Sequence, residues 1–163
     1  PISGNFVPSG FVASQWADYC NQRRDLGKRI DPENWRAGRS ILVTDSDARA
    51  EEYVAQAEGG FRHYFHYLRT LEAKRSIASP EERENYVANQ VNEAIEDQVL
   101  AGDADTVLDR LIAFRDEVGP FGTLLMTGHD WDEKALWQGS MQRLAEDVMP
   151  RFRQHANATD RTY

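Results

Sequence analysis

Ala37-Gly38-Arg39-Ser40-Ile41-Leu42-Val43-Thr44 is the stretch on which the fold turns. Its second half, Ser40 to Thr44, is β-branched and apolar and shows no helical period, which makes it the clearest strand in the chain. Thr44-Asp45-Ser46-Asp47 follows at once and supplies side-chain oxygens that can cap a helix through Ala48, Glu51, Glu52 and Val54. Upstream, Val12, Trp16, Tyr19, Cys20, Arg23 and Leu26 recur at helical spacing until Gly27. Before them, Pro1–Phe6 reads as a short strand that runs into the turn-forming Pro8-Ser9-Gly10.

Downstream, Gly59-Gly60 interrupts the helical pattern, and Phe61, Tyr64, Phe65, Leu68 and Leu71 resume it up to Ser79-Pro80. The stretch from Glu81 to Val99 reads as helical in part, with a weaker apolar face. Gly102-Asp103 opens the best-defined helix, with Val107, Leu108, Leu111, Ile112, Phe114 and Val118 as its stripe and Gly119-Pro120 as its stop. Gly122–Thr127 reads as a short buried strand, and Asp130 or Asp132 can cap a last helix through Leu136, Met141, Leu144 and Val148. From Asn157 the chain is polar and expected to fray.

Strands that alternate with helices imply a parallel sheet with right-handed crossovers. Three strands leave open edges and uncovered faces, so 163 residues fit part of a larger α/β fold better than a whole one. A (β/α)8 barrel needs about 250 residues.

The composition excludes several classes. No apolar run approaches the roughly 20 residues of a membrane span. With 27 acidic residues against 19 basic ones the net charge is −8, which argues against nucleic acid and anionic membranes as partners. That charge is local. Glu81 to Val118 holds eleven carboxylates against Arg83, Arg110 and Arg115, and the rest of the chain balances at 16 of each sign. Cys20 is the only cysteine, so disulfide frameworks and cysteine-rich zinc sites are ruled out and a reducing, cytoplasmic compartment is expected. Pro1-Ile2-Ser3-Gly4 has neither the basic residues nor the apolar stretch of a signal peptide.

Barrel active sites lie where strands end, and that rule selects Ser3-Gly4-Asn5-Phe6, Thr44-Asp45-Ser46 and Thr127-Gly128-His129-Asp130-Trp131. His129 is the only histidine at a strand end and can donate, accept or move a proton near neutral pH. The plain alternative is that Asp130 or Asp132 caps a helix while Trp131 packs under it. Ser3, Asn5 and Phe6 offer hydrogen bonds and an aromatic face to a flat ligand, and an ordinary turn explains them equally well. His63 and His66 share a helical face but lack a clear third ligand, since Glu72 and His155 are weak partners, so no metal is expected. No phosphate loop, nucleophile elbow or dinucleotide fingerprint is present. Cys20 reads as a core residue.

Pro1–Phe6, Trp35–Ser46 and Phe121–Trp131 together resemble the C-terminal part of the bacterial luciferase-like flavin monooxygenases, nearest the limonene- and alkane-monooxygenase-like branch. Gly102-Asp103 and the ending Leu144–Phe152 fit the same pattern, and the likeness covers residues 1–153. It implies an α/β fold in which the chain is the C-terminal part of a (β/α)8 TIM barrel, strands 6–8, with a helical insertion between strands 7 and 8. Residues 59–100 would then be a helical lid and 154–163 a polar tail. The resemblance further implies reduced FMN as cofactor and O2 as co-substrate, with oxygenation of a small apolar organic molecule as the reaction. Ser3, Asn5 and Phe6 would lie by the flavin ring, and His129 and Trp131 in the substrate pocket. Implied partners are a flavin reductase, the remaining N-terminal part of the barrel and a second copy in a homo-oligomer.

No catalytic residue is carried over, because the family's catalytic positions fall on earlier strands; this chain alone is expected to bind flavin poorly and to be inactive. Two alternatives remain open: a non-catalytic half-barrel that stabilises a catalytic partner, and a deazaflavin-dependent oxidoreductase of the same superfamily.

Overall fold

The structure is a computed structural model in which residues 1–56, 58–129 and 133–160 are described. It is organised around β2 (Arg36–Val43), whose last seven residues are all buried. Successive side chains of a strand point to opposite faces. Ala37, Arg39, Ile41 and Val43 therefore share one face, and Gly38, Ser40 and Leu42 the other.

Each face has its own apolar core. Ala37, Ile41 and Val43 pack with Val12 of α1 (Ser9–Asp25), with Leu111 and Phe114 of α5 (Ala104–Val118), and with Phe152 of α7 (Met149–Asp160). Leu42 packs with Tyr53 of α2 (Asp47–Ala55), Phe61 and Phe65 of α3 (Gly60–Ser76), Val91 of α4 (Pro80–Gln98) and Trp137 of α6 (Lys134–Arg143). A π-helical turn, Leu144–Val148, joins α6 to α7. The result is a sheet with helices on both faces, the arrangement that parallel strands require.

All pairing in the sheet passes through β2. β1 (Ile2–Ser3) runs parallel to its start, β3 (Val99–Gly102) runs parallel to its end from Ser40 to Val43, and β4 (Thr123–Thr127) pairs with Arg36–Ser40. The backbone N–H of Val43 donates to the Ser140 hydroxyl at 2.8 Å, so α6 satisfies the strand where the ladder leaves off.

The helix boundaries follow local chemistry. Ser46 accepts from the N–H of Arg49, Ser79 from that of Glu82, and Asp103 from those of Asp105 and Thr106. Gly27, at φ +61°, sits just beyond the end of α1. Asp47 ties two elements together, accepting from the N–H of Asp103 at 2.8 Å and from the Thr106 hydroxyl at 3.0 Å. Among the described residues, no helix is long and apolar enough to cross a membrane.

The barrel expectation is corrected here. The described residues form a compact α/β layer with four parallel strands, not strands 6–8 of a (β/α)8 barrel with an insertion. Val99–Gly102 is a strand that the sequence reading passed over, because four residues between two helices show no period. The excursion over residues 59–100 is not detached from the sheet either: α3 and α4 bury the Leu42 face directly. Two smaller differences concern β1, which is two residues rather than six, and β4, which is half-buried rather than buried. The acidic stretch is fully helical from Pro80 to Gln98. The expected caps Asp130 and Asp132 lie outside the described residues.

Arg39 is the exception in the first core. It is fully buried, donates to the Gly38 carbonyl and to the Ser9 hydroxyl at 2.9 Å, and lies 4.0 Å over the Phe114 ring. Burial lowers its pKa to about 10, against the opposing pull of Asp97 and Glu117. Its stem and guanidinium both fill core volume, so packing and charge should separate on mutation. Arg39→Ala is expected to lose about 3 kcal/mol through the cavity it leaves. Arg39→Met keeps the stem and removes the desolvated charge, and should cost about 1 kcal/mol or less. Urea denaturation of both variants checks this, and equal losses would show that charge rather than packing holds the residue.

Candidate functional site

The ends of β1 and β4 meet the middle of β2 on its Gly38–Ser40 face. Gly38 permits the approach, since a Cβ there would lie 3.2 Å from both the Asn5 nitrogen and the Ser3 carbonyl. Three polar side chains converge as a result. The Asn5 amide nitrogen donates to the Ser40 hydroxyl at 3.1 Å, and that hydroxyl lies 2.6 Å from Nε2 of His129. From α3, the Tyr64 phenol donates to Oδ1 of Asn5 at 3.4 Å.

The walls are aromatic. The His129 ring lies 4.1 Å from that of Tyr64 and 5.3 Å from that of Phe61, and Phe61 in turn contacts Tyr53 and Trp137. These surroundings control ionisation. Burial depresses the His129 pKa to about 4, so the imidazole is neutral at pH 7. Burial also raises the Tyr64 pKa, outweighing the hydrogen bond with Asn5 and the Arg69 charge that lower it. The cluster is therefore polar, uncharged and framed by apolar rings. Such a place suits the hydrogen-bonding edge of a flat neutral ring far better than an anion or a metal ion.

The residues selected from the sequence separate into groups. Asn5 and His129 come together, linked through Ser40. Ser3 is buried close by, but its hydroxyl donates to Gln15 at 2.8 Å and accepts from the Trp35 indole at 3.1 Å, so both roles are engaged inside the protein. Phe6 is 48% exposed and lies over Gly4, at the rim rather than in the cluster. Trp131 lies outside the described residues. Thr44 and Ser46 hold the chain turn after β2, Thr44 donating to the Ser46 carbonyl at 2.7 Å.

Ser40 and Tyr64 are functional candidates that the sequence reading did not select. Ser40 had a signal, a hydroxyl inside the most apolar strand of the chain. Tyr64 had only a weak one, as its place among Phe61, Phe65 and Tyr67 reads as packing or a pocket wall. His63 and His66 are exposed on the other side of α3 and line a groove of about 360 Å3 with Arg62 and Asn92. Among the described residues, no three His, Cys, Asp or Glu side chains gather as metal ligands.

A neutral polar cluster walled by aromatics thus lies where parallel strands end, and the proteins named below, to which this chain is similar, are monooxygenases. No family model matches it. The chain is 27% identical over 148 residues to 4-hydroxyprotoasukamycin monooxygenase of Streptomyces nodosus subsp. asukaensis, covering 86% of this chain and 36% of that protein. It is 23% identical over 158 residues to 3,6-diketocamphane 1,6-monooxygenase of Pseudomonas putida, covering 91% and 42%.

Among solved structures, the oxygenating constituent of 3,6-diketocamphane monooxygenase from Pseudomonas putida, a Type II Baeyer–Villiger monooxygenase in complex with FMN, superposes with a TM-score of 0.68 at 22% identity. That match takes in 92% of this chain and 42% of the other. The monooxygenase RslO1 from Streptomyces bottropensis superposes with a TM-score of 0.61 at 16% identity, over 93% and 41%. The chain thus spans about two-fifths of the length of the relatives it matches.

The depressed His129 pKa has a consequence for stability. The unfolded chain takes up a proton near pH 6.5, the folded one only near pH 4, so between these values the unfolded state binds more protons. Stability should therefore hold above pH 6.5 and fall as the pH drops from 6.5 toward 4. Urea midpoints at pH 7, 6 and 5 for the protein and for His129→Gln test this. The variant should lose less stability on acidification, and parallel curves would refute a neutral buried imidazole.

Proposed function

We propose that this chain is the C-terminal part of a longer, luciferase-like flavin monooxygenase that uses reduced FMN and O2 to oxygenate a small apolar organic molecule. The observation that carries the reading is the uncharged Asn5–Ser40–His129–Tyr64 cluster, set in aromatic walls at the strand ends. The similarity to monooxygenases over nearly the whole chain supports it, as does the name of one structural neighbour, which is in complex with FMN.

The residues present fit a flavin ring in part. An isoalloxazine edge alternates donors and acceptors, and an amide, an imidazole and a phenol are the groups that match such an edge. Asn5 and His129 would face the ring, and half-exposed Phe6 would lie against its rim. Ser3 acts one step back, holding Trp35 and Gln15 under the β1 turn. Among the described residues of the cluster none is cationic, and Arg69, whose charge acts on Tyr64, is engaged with the Phe6 carbonyl and Glu72, so the grip on the phosphate end would fall to the part of the protein that the chain does not cover.

Reduced FMN, when bound, would supply the two electrons that activate O2. The chain's own residues do three other things. Asn5 and His129 orient the ring edge through hydrogen bonds, neutral His129 leaves no fixed charge beside it, and α3 with α4 keeps water off the Leu42 face. Excluding water protects a reactive oxygenating site from unproductive breakdown. A separate flavin reductase would deliver the reduced cofactor.

The test is isotopic. The longer protein that carries this chain, supplied with FMN, a flavin reductase and 18O2, should place one labelled oxygen in a small apolar acceptor such as a cyclic ketone. Asn5→Ala and His129→Ala should each weaken FMN binding about tenfold, the loss of roughly one buried hydrogen bond. Absence of label together with hydride transfer from a reduced deazaflavin would replace the oxygenase by an oxidoreductase.

A further inference from the structure

Ser40 lies between two partners, and the hydrogens available there can be counted. The Asn5 amide nitrogen brings a hydrogen to the Ser40 oxygen at 3.1 Å. The Tyr64 phenol brings one to Asn5 Oδ1, which fixes the amide with its oxygen toward Tyr64 and its nitrogen toward Ser40. The Ser40 oxygen is then already an acceptor, and its own hydrogen needs an acceptor in turn. Nε2 of His129 lies 2.6 Å away. The donations therefore run one way, from Tyr64 through Asn5 and Ser40 to the imidazole.

We infer that Ser40 is a positioning residue: its hydroxyl donates to Nε2 and fixes His129 in the tautomer that carries its hydrogen on Nδ1. In that state the imidazole can offer a bound molecule a hydrogen-bond donor through Nδ1, and its basic lone pair on Nε2 is directed at Ser40 and away from the ligand. The inference rests on the reading of this cluster as a ligand site only for its use, since the tautomer exists with or without a ligand. Ser40 is fully buried, and Asn5, from the turn after β1, is 8% exposed, so water competes little for these bonds. Tyr64 closes the circuit from outside the sheet, bonded to Asn5 and packed at a 35° tilt against the very ring whose hydrogen it indirectly places. The opposite direction of donation would turn the Asn5 amide over and put the hydrogen on Nε2.

Nitrogen-15 spectroscopy of histidine-labelled protein at pH 7 reads the tautomer directly, with His129→Gln identifying the resonance among the four histidines. The expected result is a protonated Nδ1 and an unprotonated Nε2 on His129. Ser40→Ala should release the ring toward the Nε2–H form, and Ser40→Thr, which keeps the hydroxyl, should restore the original pattern. A hydrogen on Nε2 in the unaltered protein overturns the inference, and so does a tautomer that Ser40→Ala leaves unchanged. The unaltered protein decides the direction even if the alanine variant fails to fold. Addition of oxidised FMN to the longer protein that carries this chain is a separate arm: an unmoved His129 Nδ1–H signal there would count against the flavin reading while the tautomer result stands.

Discussion

Every part of this molecule answers to one strand with two buried faces. Among the described residues β2 alone pairs with all three other strands, and each of its residues from Ala37 onward belongs to an interior. A one-residue slip would exchange the faces, sending Arg39 among the aromatics of α3 and Leu42 under α5. The register is held from several directions: by Pro1–Ser3 at the start, by β4 along Arg36–Ser40, by β3 beyond Ser40, and by Ser140 at the Val43 nitrogen. Redundant pairing of this kind places three side chains from separate segments within hydrogen-bond reach of one another.

The two faces handle polar groups by opposite means. On one, Arg39 keeps a full charge in the interior, stabilised by the Phe114 ring and the Ser9 hydroxyl, with the Asp97 and Glu117 charges helping to hold its proton. Ser9 and Asp97 are themselves bonded, so the same charge ties the start of α1 to the end of α4. On the other face the four bonded side chains carry no charge, and the Arg69 charge acts on Tyr64 only from outside them. His129 is held neutral by burial, and its neighbours are an amide, a hydroxyl and a phenol. A buried charge favours a fixed structure, because moving it costs desolvation without its partners. A neutral polar group can exchange one partner for another at far lower cost, which is what binding a ligand requires.

The sequence made some of this legible and hid the rest for physical reasons. Ile41–Val43 announced a buried strand because β-branched and aliphatic residues without a helical period have few other homes. Ser46 and Asp103 announced helix starts because their side-chain oxygens match the open N–H groups there, whereas Ser79-Pro80 reads as a stop and proves also to cap the next helix. Val99–Gly102 stayed hidden, for its strand character comes wholly from the edge of β2 that it meets. The barrel expectation failed for the same reason, since the destination of a helical excursion is set by tertiary packing that no local pattern encodes. In the site, Asn5 and His129 were visible as polar residues at strand ends. Ser40 was visible only as an anomaly, and Tyr64 was indistinguishable from the Phe61 and Phe65 that flank it.

Tyr64 shows why that last ambiguity is built into the design. A residue on an apolar helical stripe is chosen first to bury its ring, and α3 does bury its Phe61 and Phe65 positions almost completely. Replacing one phenylalanine in such a stripe by tyrosine adds a single oxygen, and the position of Asn5 alone determines whether that oxygen is a defect or a contact. Here the phenol reaches Asn5 while the ring packs against His129, so packing and polarity act through the same side chain. The helical excursion thereby becomes part of the site itself, because the hydrogen-bond circuit of the sheet is closed only by a residue that α3 supplies.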